Sequence, residues 1–336
     1  MGNSDDWLGQ VHEAVVEPDL PIIDPHHHLW TYDPPGAYLV PNLWADTGSG
    51  HRVEQTVFVQ CGAEPRKDGP EELRCVGETE FVVGQAAEAD RGPPDAARIG
   101  GIVAFADLTL GARVDRVLEA HVEAGEGLVR GIRNNAAWDE TGTVVTPYPE
   151  GMPHIYGDVS FREGFARLAA FGFSYDAWNY HPQIPELAEL ARAFPETTIV
   201  LDHFGGVLGV GAFAGQRAEV FEQWKKDLAA LAECSNVVAK LGGMAMPLNG
   251  FGWEKGERPA TSDEFVTAQS PYYHYAIEKF GPDRCMFESN FPVDKQSLSY
   301  RTLWNGFKKI AAEYTDAEKA ALFHDTAMRV YKLSSN

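Results

Sequence analysis

The run Asp24-Pro25-His26-His27-His28 holds the side chains of this sequence that are best suited to chemistry. It follows an apolar segment, Leu20–Ile23, that is typical of a buried strand. His26 and His28 are two residues apart and point to the same side of an extended strand, whereas His27 points to the other side and is interpreted as structural. Neutral imidazole is the commonest metal ligand, and it titrates near neutral pH. The pair therefore predicts half of a metal site or a proton-transfer site.

Two further histidines follow other predicted strands. An imidazole from His181 or from His203 would complete a three-histidine site that leaves one metal position open for water. Gly205 and Gly206 follow His203 and leave its turn open to a ligand. The residues thus predict a divalent metal, zinc or manganese, and a metal-free site is the alternative. The predicted metal ligands are His26, His28, His181 and His203.

Other side chains at predicted strand ends and in loops are suited to substrate binding. Arg133, or else Arg130, would bind a substrate carboxylate through two hydrogen bonds, and only one of them can face inward on a regular strand. Trp178 and Tyr156 are predicted to form pocket walls, and Lys240 lies in a strand among apolar neighbours. These five residues are the predicted substrate-binding set.

The elements that must position these residues alternate between short apolar runs and segments with helical periodicity. The eight predicted strands are Leu20–Asp24, Gln55–Gln60, Ile99–Ala106, Leu128–Arg133, Ser174–Trp178, Thr198–Asp202, Asn236–Leu241 and Arg284–Glu288. The predicted helices are Glu72–Asp90, Ala112–Ala124, Phe161–Ala170, Ile184–Ala193, Arg217–Ala232, Pro271–Phe280, Tyr300–Ala312 and Asp316–Tyr331, the last capped by Thr315. This alternation predicts an α/β fold, a (β/α)8 TIM barrel in residues 20–336 after an N-terminal extension, 1–19. A doubly wound open sheet is the alternative.

Three predicted strand-to-helix connections, Leu29–Arg52, Asn134–Ser160 and Gly242–Ser270, are long and rich in aromatic residues. In a barrel all three lie at the C-terminal face, where barrel enzymes hold their active sites. Their aromatic side chains would form a lid and pocket wall, or only pack the loops down. Those residues are Trp30, Tyr32, Tyr38, Trp44, Trp138, Tyr148, Tyr156, Phe251 and Trp253.

Composition narrows the classes of function. The formal net charge of −21 argues against nucleic-acid and anionic-membrane partners and leaves a small-molecule substrate as the expected partner. No apolar stretch approaches the ~20 residues of a membrane span, and residues 1–17 lack a signal-peptide core, so a cytoplasmic location is expected. The four cysteines form no C-x-x-C pair. A homo-oligomer is left open.

At these residues the sequence resembles the amidohydrolase superfamily, and more closely the amidohydrolase-2 branch with its sugar-acid lactonases and 2-pyrone-4,6-dicarboxylate lactonase. The matching segments are Asp24–His28, Val129–Arg133, Asp202–Gly206, Lys240–Gly243 and Phe287–Val293. The resemblance implies a (β/α)8 barrel, with the His-x-His pair of the family at His26 and His28 and its strand-six histidine at His203. It also implies a catalytic aspartate after strand eight.

The sequence departs from the family at that last position, which is Asn290. An amide is no proton acceptor, so another group must activate water. Glu288 has the same strand phase and would replace the carboxylate or pair with Lys240, and Asp294 is a further candidate. With His203, these three residues form the predicted catalytic set.

Three hypotheses about function follow. The first is a hydrolase that opens a lactone or related cyclic ester of a carboxylate-bearing small molecule, with His203 or a strand-eight carboxylate as general base. The second is a metal-dependent non-oxidative decarboxylase of an aromatic or unsaturated acid, which Asn290 favours because decarboxylation needs no activated water. The third is a catalytically inactive barrel.

Overall fold

Eight parallel strands pair in chain order in the computed structural model, which describes residues 5–33, 36–144 and 151–334. The strands are β1 (Pro21–His27), β2 (Arg52–Val59), β3 (Arg98–Ala104), β4 (Val129–Ile132), β5 (Ser174–Ala177), β6 (Ile199–Leu201), β7 (Val237–Leu241) and β8 (Cys285–Phe287). Each corresponds to a predicted strand. The prediction of a (β/α)8 barrel is confirmed, and all strand ends that carry the candidate residues therefore meet at one face.

Hydrogen bonds just beyond the last strand close the barrel. Asn290 N donates to His26 O at 3.0 Å, and His28 N donates to Phe291 O at 2.8 Å. His27 and Phe291 form a parallel bridge there. The segment after β8 is thus bound directly to the His26-x-His28 backbone, which fixes Asn290 beside the histidine pair.

Helices surround the barrel. They are α1 (Val40–Thr47), α2 (Val76–Ala89), α3 (Asp115–Ala124), α4 (Val159–Phe165), α5 (Leu168–Phe171), α6 (Ile184–Ala193), α7 (Arg217–Ala232), α8 (Ser262–Phe280), α9 (Tyr300–Ile310), α10 (Asp316–Ala320) and α11 (Thr326–Val330). The predicted bounds of α6 and α7 are those observed. The predicted Thr315 cap is confirmed, but a π-helical turn, Ala321–Asp325, divides the last predicted helix into α10 and α11.

The predicted helix start at Pro271 is wrong, because α8 begins nine residues earlier, at Ser262. Thr261 caps it: Glu264 N donates to Thr261 Oγ1 at 3.2 Å, and Thr261 N donates back to the Glu264 carboxylate at 2.8 Å. The sequence carries this capping box as Thr261-x-x-Glu264. Pro271 lies inside the helix rather than at its first turn.

Two apolar regions hold the barrel together. The main core lies between the strands and the helices, as expected for a parallel sheet covered on its outer face. A smaller cluster fills the interior of the barrel below the site, with Val57, Val103, Val200 and Val238 from four strands and Tyr331 from the segment after α11. The interior is therefore packed, and the polar residues at the mouth rest on an apolar floor.

The segment before β1 packs against the outside of the barrel. The Glu13 carboxylate accepts hydrogen bonds from Ser262 N at 2.8 Å and from Asn305 Nδ2 at 3.1 Å. Val16 N donates to Asn305 Oδ1 at 2.8 Å. These contacts tie the N-terminal segment to α8 and α9. Within the described ranges, the structure contains no helix with the length and apolar character that a bilayer crossing requires.

Candidate active site

A buried carboxylate organises the end of β1. Asp24 accepts hydrogen bonds from Ser289 N at 3.0 Å, from Tyr300 Oη at 3.0 Å and from His26 N at 3.3 Å. Burial raises the pKa of Asp24 to about 6, although these hydrogen bonds act to lower it. Asp24 thereby joins the ends of β1 and β8 and holds the His26 backbone in place.

The His203 side chain is aimed by an unusual turn after β6. His203 and Phe204 have φ values of 53° and 58°, and Gly205 and Gly206 continue with positive φ. Non-glycine residues in this region cost of order 1 kcal/mol each and concentrate at functional sites. Trp224 Nε1 donates to Phe204 O at 2.9 Å and helps to hold the turn.

Glu288 bridges the two histidines. His203 Nδ1 lies 2.6 Å from Glu288 Oε1, and His26 Nδ1 lies 2.8 Å from Glu288 Oε2. Burial alone would raise the pKa of Glu288, but His203 and His26 hold it at about 2. A carboxylate with this pKa, held between two imidazoles, is a poor proton acceptor. Glu288 is therefore suited to orient the imidazoles rather than to act as the base.

The hydrogen bonds assign a tautomer to two of the imidazoles. His203 Nδ1 donates to Glu288, and His28 Nδ1 donates to Val59 O at 2.7 Å. In the neutral rings, Nε2 of His203 and Nε2 of His28 are then the unprotonated nitrogens. His26 lies between donors, because Lys240 Nζ is 3.3 Å from its Nδ1 and Arg133 Nη1 is 3.3 Å from its Nε2. Burial lowers the pKa of His26 to about 4 and that of His28 well below its ordinary value, so both rings are neutral near pH 7.

A buried ammonium lies beneath the imidazoles. Lys240 Nζ is 2.7 Å from Asp176 Oδ2 and 3.1 Å from Asp202 Oδ1. Tyr331 Oη also donates to Asp176 Oδ2, at 2.6 Å. Burial alone would lower the pKa of Lys240, but Asp176 and then Asp202 raise it. The two aspartates, rather than the suggested Glu288, are the ion-pair partners of Lys240, and the ammonium is not available to a substrate.

Arg133 completes the charged layer. Its Nη1 lies 3.2 Å from Asp202 Oδ2, and its Nη2 donates to Gln60 O. Burial alone would raise the pKa of Asp202, but Lys240, His26 and Arg133 hold it well below its ordinary value. Three carboxylates, those of Asp176, Asp202 and Glu288, thus face two cationic side chains.

Asn290 and Asp294 form a separate pair behind Glu288. Asn290 Nδ2 donates to Asp294 Oδ1 at 2.9 Å, and Ala245 N donates to Asp294 Oδ2 at 3.1 Å. Burial raises the pKa of Asp294 to about 7, against the lowering effect of the Asn290 hydrogen bond. Both residues are at the mouth of the barrel, as predicted, and they contact each other.

Aromatic rings line two sides of the cluster. Trp178 lies edge-on to the His203 ring, with centroids 4.8 Å apart, and is 6% exposed. Trp30 stacks between His28 and Tyr32, at centroid distances of 6.4 and 5.1 Å. The first long loop therefore contributes a stacked aromatic wall beside His28. The predicted loop residue Tyr148 lies outside the described residues.

Three predicted site residues are not brought to the cluster. Arg130 donates to Gly127 O in the turn before β4, at the opposite end of the barrel. Tyr156 is fully buried in the main core and donates to Asn179 Oδ1 at 3.1 Å. His181 Nδ1 accepts from Leu208 N at 3.3 Å, and its ring packs against Phe213. Burial lowers the pKa of His181 to about 4, which fits a neutral ring that shapes its loop.

Asp202 and Asp176 are the site residues that sequence reasoning missed. Asp202 directly precedes His203, and Asp176 lies inside β5, so both were visible as polar residues in apolar strands. A buried lysine in β7 required a carboxylate partner, but nothing in the sequence indicated which strand supplied it.

A divalent metal fits part of this cluster. Among the described residues, His26, Asp202 and His203 offer ligand atoms that lie within 4.8 Å of one another. Two imidazoles and a carboxylate are suitable donors for zinc or manganese. His28 and His181 are not in this group, so the donor set differs from the predicted one. An ion at Asp202 would compete with the Lys240 ammonium for the same oxygen.

An open groove lies elsewhere on the barrel. It has a volume of about 990 Å³ and is lined by residues that include Trp44, Arg52 and Arg98, where β2 and β3 begin. Barrel enzymes carry their chemistry at the opposite face. The buried cluster, rather than this groove, is the candidate active site.

The chain belongs to the amidohydrolase family, whose model matches residues 23–333. The family, together with a charged cluster at the C-terminal face of a (β/α)8 barrel, places the protein among enzymes of the hydrolase superfamily. The predicted family is thereby confirmed.

Two curated proteins are similar to it in sequence. The uncharacterized protein y4mH of Sinorhizobium fredii is 34% identical over 94% of this chain and 99% of its own length. The L-fucono-1,5-lactonase of Burkholderia multivorans is 28% identical over 71% of this chain and 73% of its own.

Solved structures share the fold. An amidohydrolase from Burkholderia multivorans, solved with bound HEPES, has a TM-score of 0.72 at 24% identity and covers 93% of this chain and 99% of its own. Another crystal form of that amidohydrolase contains bound zinc, at 23% identity and the same TM-score of 0.72. A putative 2-pyrone-4,6-dicarboxylic acid hydrolase from Pseudomonas putida has a TM-score of 0.60 at 18% identity, with 94% and 99% coverage.

Proposed function

We propose that this protein hydrolyses a lactone, with His203 as general base. The observation that carries the proposal is the 2.6 Å contact between His203 Nδ1 and Glu288, in which Nδ1 donates and Nε2 is the ring nitrogen that can accept a proton. A base held by a carboxylate through its other nitrogen is the arrangement that general-base catalysis requires. The relative named L-fucono-1,5-lactonase supports a cyclic ester as the substrate.

The reaction uses groups of this chain at each proton transfer. His203 Nε2 takes a proton from water as the water oxygen bonds to the lactone carbonyl carbon. The oxyanion that forms is stabilised by the positive charge of Arg133, which keeps 8% of its side chain exposed at the mouth. Cleavage of the bond between the carbonyl carbon and the ring oxygen follows, and the protonated His203 returns its proton to that oxygen. The product is an open-chain hydroxy acid.

A divalent metal, if held by His26, Asp202 and His203, would supply Lewis acidity for the same carbonyl. A His203 nitrogen that binds an ion is not available as the base, so the proton transfers described above apply to the site without a bound ion. His28, neutral because burial lowers its pKa, would accept a hydrogen bond from a substrate hydroxyl through Nε2.

The charge of the site favours an uncharged lactone over the carboxylate-bearing substrate expected from the sequence. That expectation depended on Arg130 or Arg133. Arg130 lies at the other end of the barrel, and Arg133 is paired with Asp202. Since the surrounding carboxylates outnumber the cationic side chains, an added anion would be repelled.

The test is a panel of uncharged aldonolactones and of carboxylate-bearing lactones, with and without zinc or manganese. Ring opening would be followed by NMR and by acid release. We expect turnover of uncharged lactones and at least ~10-fold lower kcat/KM for charged analogues of matched size. No ring opening under any condition would refute lactone hydrolysis. Release of carbon dioxide from an aromatic acid would instead support the decarboxylase alternative.

A further inference from the structure

The pair formed by Asn290 and Asp294 has no role in the proton transfers described above. Both side chains are buried, at 1% and 0% exposure, and they stand in the segment bound to the His26 backbone. Within this segment Asn290 has a φ of 54°, a conformation that asparagine tolerates better than other non-glycine residues. The buried side chain of Asn290 is therefore held in one place by a constrained backbone.

The hydrogen bonds show which end of the Asn290 amide is bound to Asp294. Above pH 7, where Asp294 is mainly ionised, its carboxylate accepts hydrogen bonds only, so Oδ1 is matched with the amide NH2 of Asn290, at 2.9 Å. The Asn290 carbonyl oxygen, Oδ1, is then the end of the amide that remains for another partner. Asp294 cannot turn away, because Ala245 N donates to its other oxygen at 3.1 Å.

We propose that Asn290 Oδ1 accepts a hydrogen bond from the attacking water, and that Asp294 is a positioning residue that keeps this oxygen, rather than the NH2 group, directed at the water. A water that gives one proton to His203 Nε2 has a second hydrogen, which needs an acceptor if the lone pair is to be aimed at the substrate. An amide oxygen supplies that acceptor without adding negative charge beside Glu288. This inference rests on the proposed lactone hydrolysis.

The geometry predicts that Asp294→Asn disturbs the pair and that exchanging the two side chains restores it. In Asp294→Asn, the new amide oxygen can accept from Ala245 N, but the new NH2 group then faces the NH2 group of Asn290. Rotation of the Asn290 amide relieves this conflict and presents a donor to the water. The exchange variant Asn290→Asp/Asp294→Asn restores every hydrogen bond. The amide introduced at position 294 accepts from Ala245 N and donates to the carboxylate introduced at position 290, which keeps an oxygen for the water.

The experiment measures kcat and KM on a lactone that the wild type opens. We expect Asp294→Asn to lower kcat by about 10-fold or more with KM changed less than about threefold, and the exchange variant to return kcat to within about threefold of wild type. Ser297→Ala is the matched control, because Ser297 Oγ donates to Ala245 O at 2.6 Å and also ties these two loops together without contacting the Asn290 amide. Its kcat should stay within about twofold of wild type. Wild-type kcat in Asp294→Asn, or an exchange variant no better than Asp294→Asn, would overturn the inference.

A measurement without substrate separates this inference from the proposed function. In 15N-asparagine-labelled protein, the Asn290 side-chain NH2 resonances should show one proton shifted downfield by its bond to a carboxylate. Asp294→Asn should remove that shift, while Ser297→Ala should keep it. Unchanged Asn290 resonances in Asp294→Asn would refute the orienting role even in an active enzyme. If the wild-type protein shows the downfield-shifted proton but opens no lactone, the proposed function is refuted while the orientation of the Asn290 amide is still supported.

Discussion

His203 Nδ1 and Glu288 Oε1 lie 2.6 Å apart, and this contact decides which group can act as the base. Glu288 Oε2 also lies 2.8 Å from His26 Nδ1, so one carboxylate contacts two imidazoles. The carboxylate that replaces the usual strand-eight aspartate in sequence phase therefore does not replace it in chemistry. In the proposed mechanism the base is His203 instead.

The first prediction concerns Glu288→Gln. A glutamine carries no negative charge and has one oxygen and one NH2 group, so it holds the Nδ1–H of His203 less firmly, and an NH2 group turned toward His203 forces that ring to move or to change tautomer. We expect kcat to fall by ~10²-fold or more, a loss typical of a displaced general base, while the fold is kept. Steady-state kinetics with circular dichroism would check it. Asp24→Asn is the control, since Asp24 is also a buried carboxylate near His26 but accepts from its backbone N. Equal kcat losses in the two variants would contradict an orienting role for Glu288.

The second prediction concerns the buried ion pair. Lys240→Met removes the ammonium and leaves Asp176 and Asp202 facing each other without it. Loss of one partner of a buried pair costs about 3–5 kcal/mol, so a large drop in the free energy of unfolding is expected. Lys309→Met is the control, because the Lys309–Asp263 pair is at the surface, with 31% and 83% exposure, and such pairs contribute less than about 1 kcal/mol. Urea unfolding of both variants measures the difference, and similar values would contradict it.

The same variant tests the metal site. In the wild type, Lys240 Nζ lies 3.1 Å from Asp202 Oδ1 and competes with a cation for that oxygen. Zinc should therefore raise the melting temperature of Lys240→Met more than that of the wild type. Thermal scans with zinc and with a chelator would show this. An equal response in the two proteins would indicate that Asp202 is not a ligand.

The third prediction is loss of stability in acid. Burial lowers the folded-state pKa of His26 to about 4, of His27 to about 3 and of His181 to about 4. In the unfolded chain each of these rings is protonated once the pH falls below 6.5, whereas in the folded protein it stays neutral down to about pH 4. The free energy of unfolding therefore falls between pH 6.5 and about 4. Glu288, with a folded pKa of about 2, extends this loss below its ordinary 4.5. Asp24 and Asp294 act in the opposite direction, because their pKa values are raised to about 6 and about 7 and the cost of their ionisation disappears in acid.

Since the lowered groups outnumber the raised ones, net proton uptake on unfolding is expected near pH 5. Tryptophan fluorescence and circular dichroism across pH 4–8, with urea midpoints at each pH, would measure the uptake. A urea midpoint that stayed constant down to pH 4 would contradict the neutral, buried state of these histidines.

The sequence was sufficient to predict the barrel but not the hydrogen bonds and ion pairs within its site. Strand order follows from alternating strands and helices, and strand phase correctly placed His26, Glu288 and Asn290 on the inner side at the mouth. The partners of Lys240 lie on β5 and directly after β6, and only the closed barrel brings those strands across from β7. Arg130 and Arg133 are three residues apart and have opposite phases, and the sequence does not show which phase faces inward, which is why it leaves Arg130 as an alternative to Arg133.

The fourth prediction concerns Gly243, which follows β7 with a φ of 67°. A Cβ atom at this position would lie 2.1 Å from His203 Nδ1, the atom that donates to Glu288. Gly243→Ala must therefore displace either the loop or the His203 ring, in addition to the strain of positive φ. We expect a fall in kcat of ~10²-fold or more, because small displacements of a base are costly, and a stability loss of about 1–3 kcal/mol.

Gly84 provides the matched control for this glycine. It lies inside α2, and a Cβ atom there would meet nothing within 4 Å. Gly84→Ala should leave kcat unchanged and raise the free energy of unfolding by about 0.5–1 kcal/mol, because alanine is the better helix former. Kinetics and urea unfolding on both variants separate the site effect from the general effect of an added methyl group. If Gly243→Ala kept the wild-type kcat, the contact between His203 Nδ1 and Glu288 would not be what catalysis depends on.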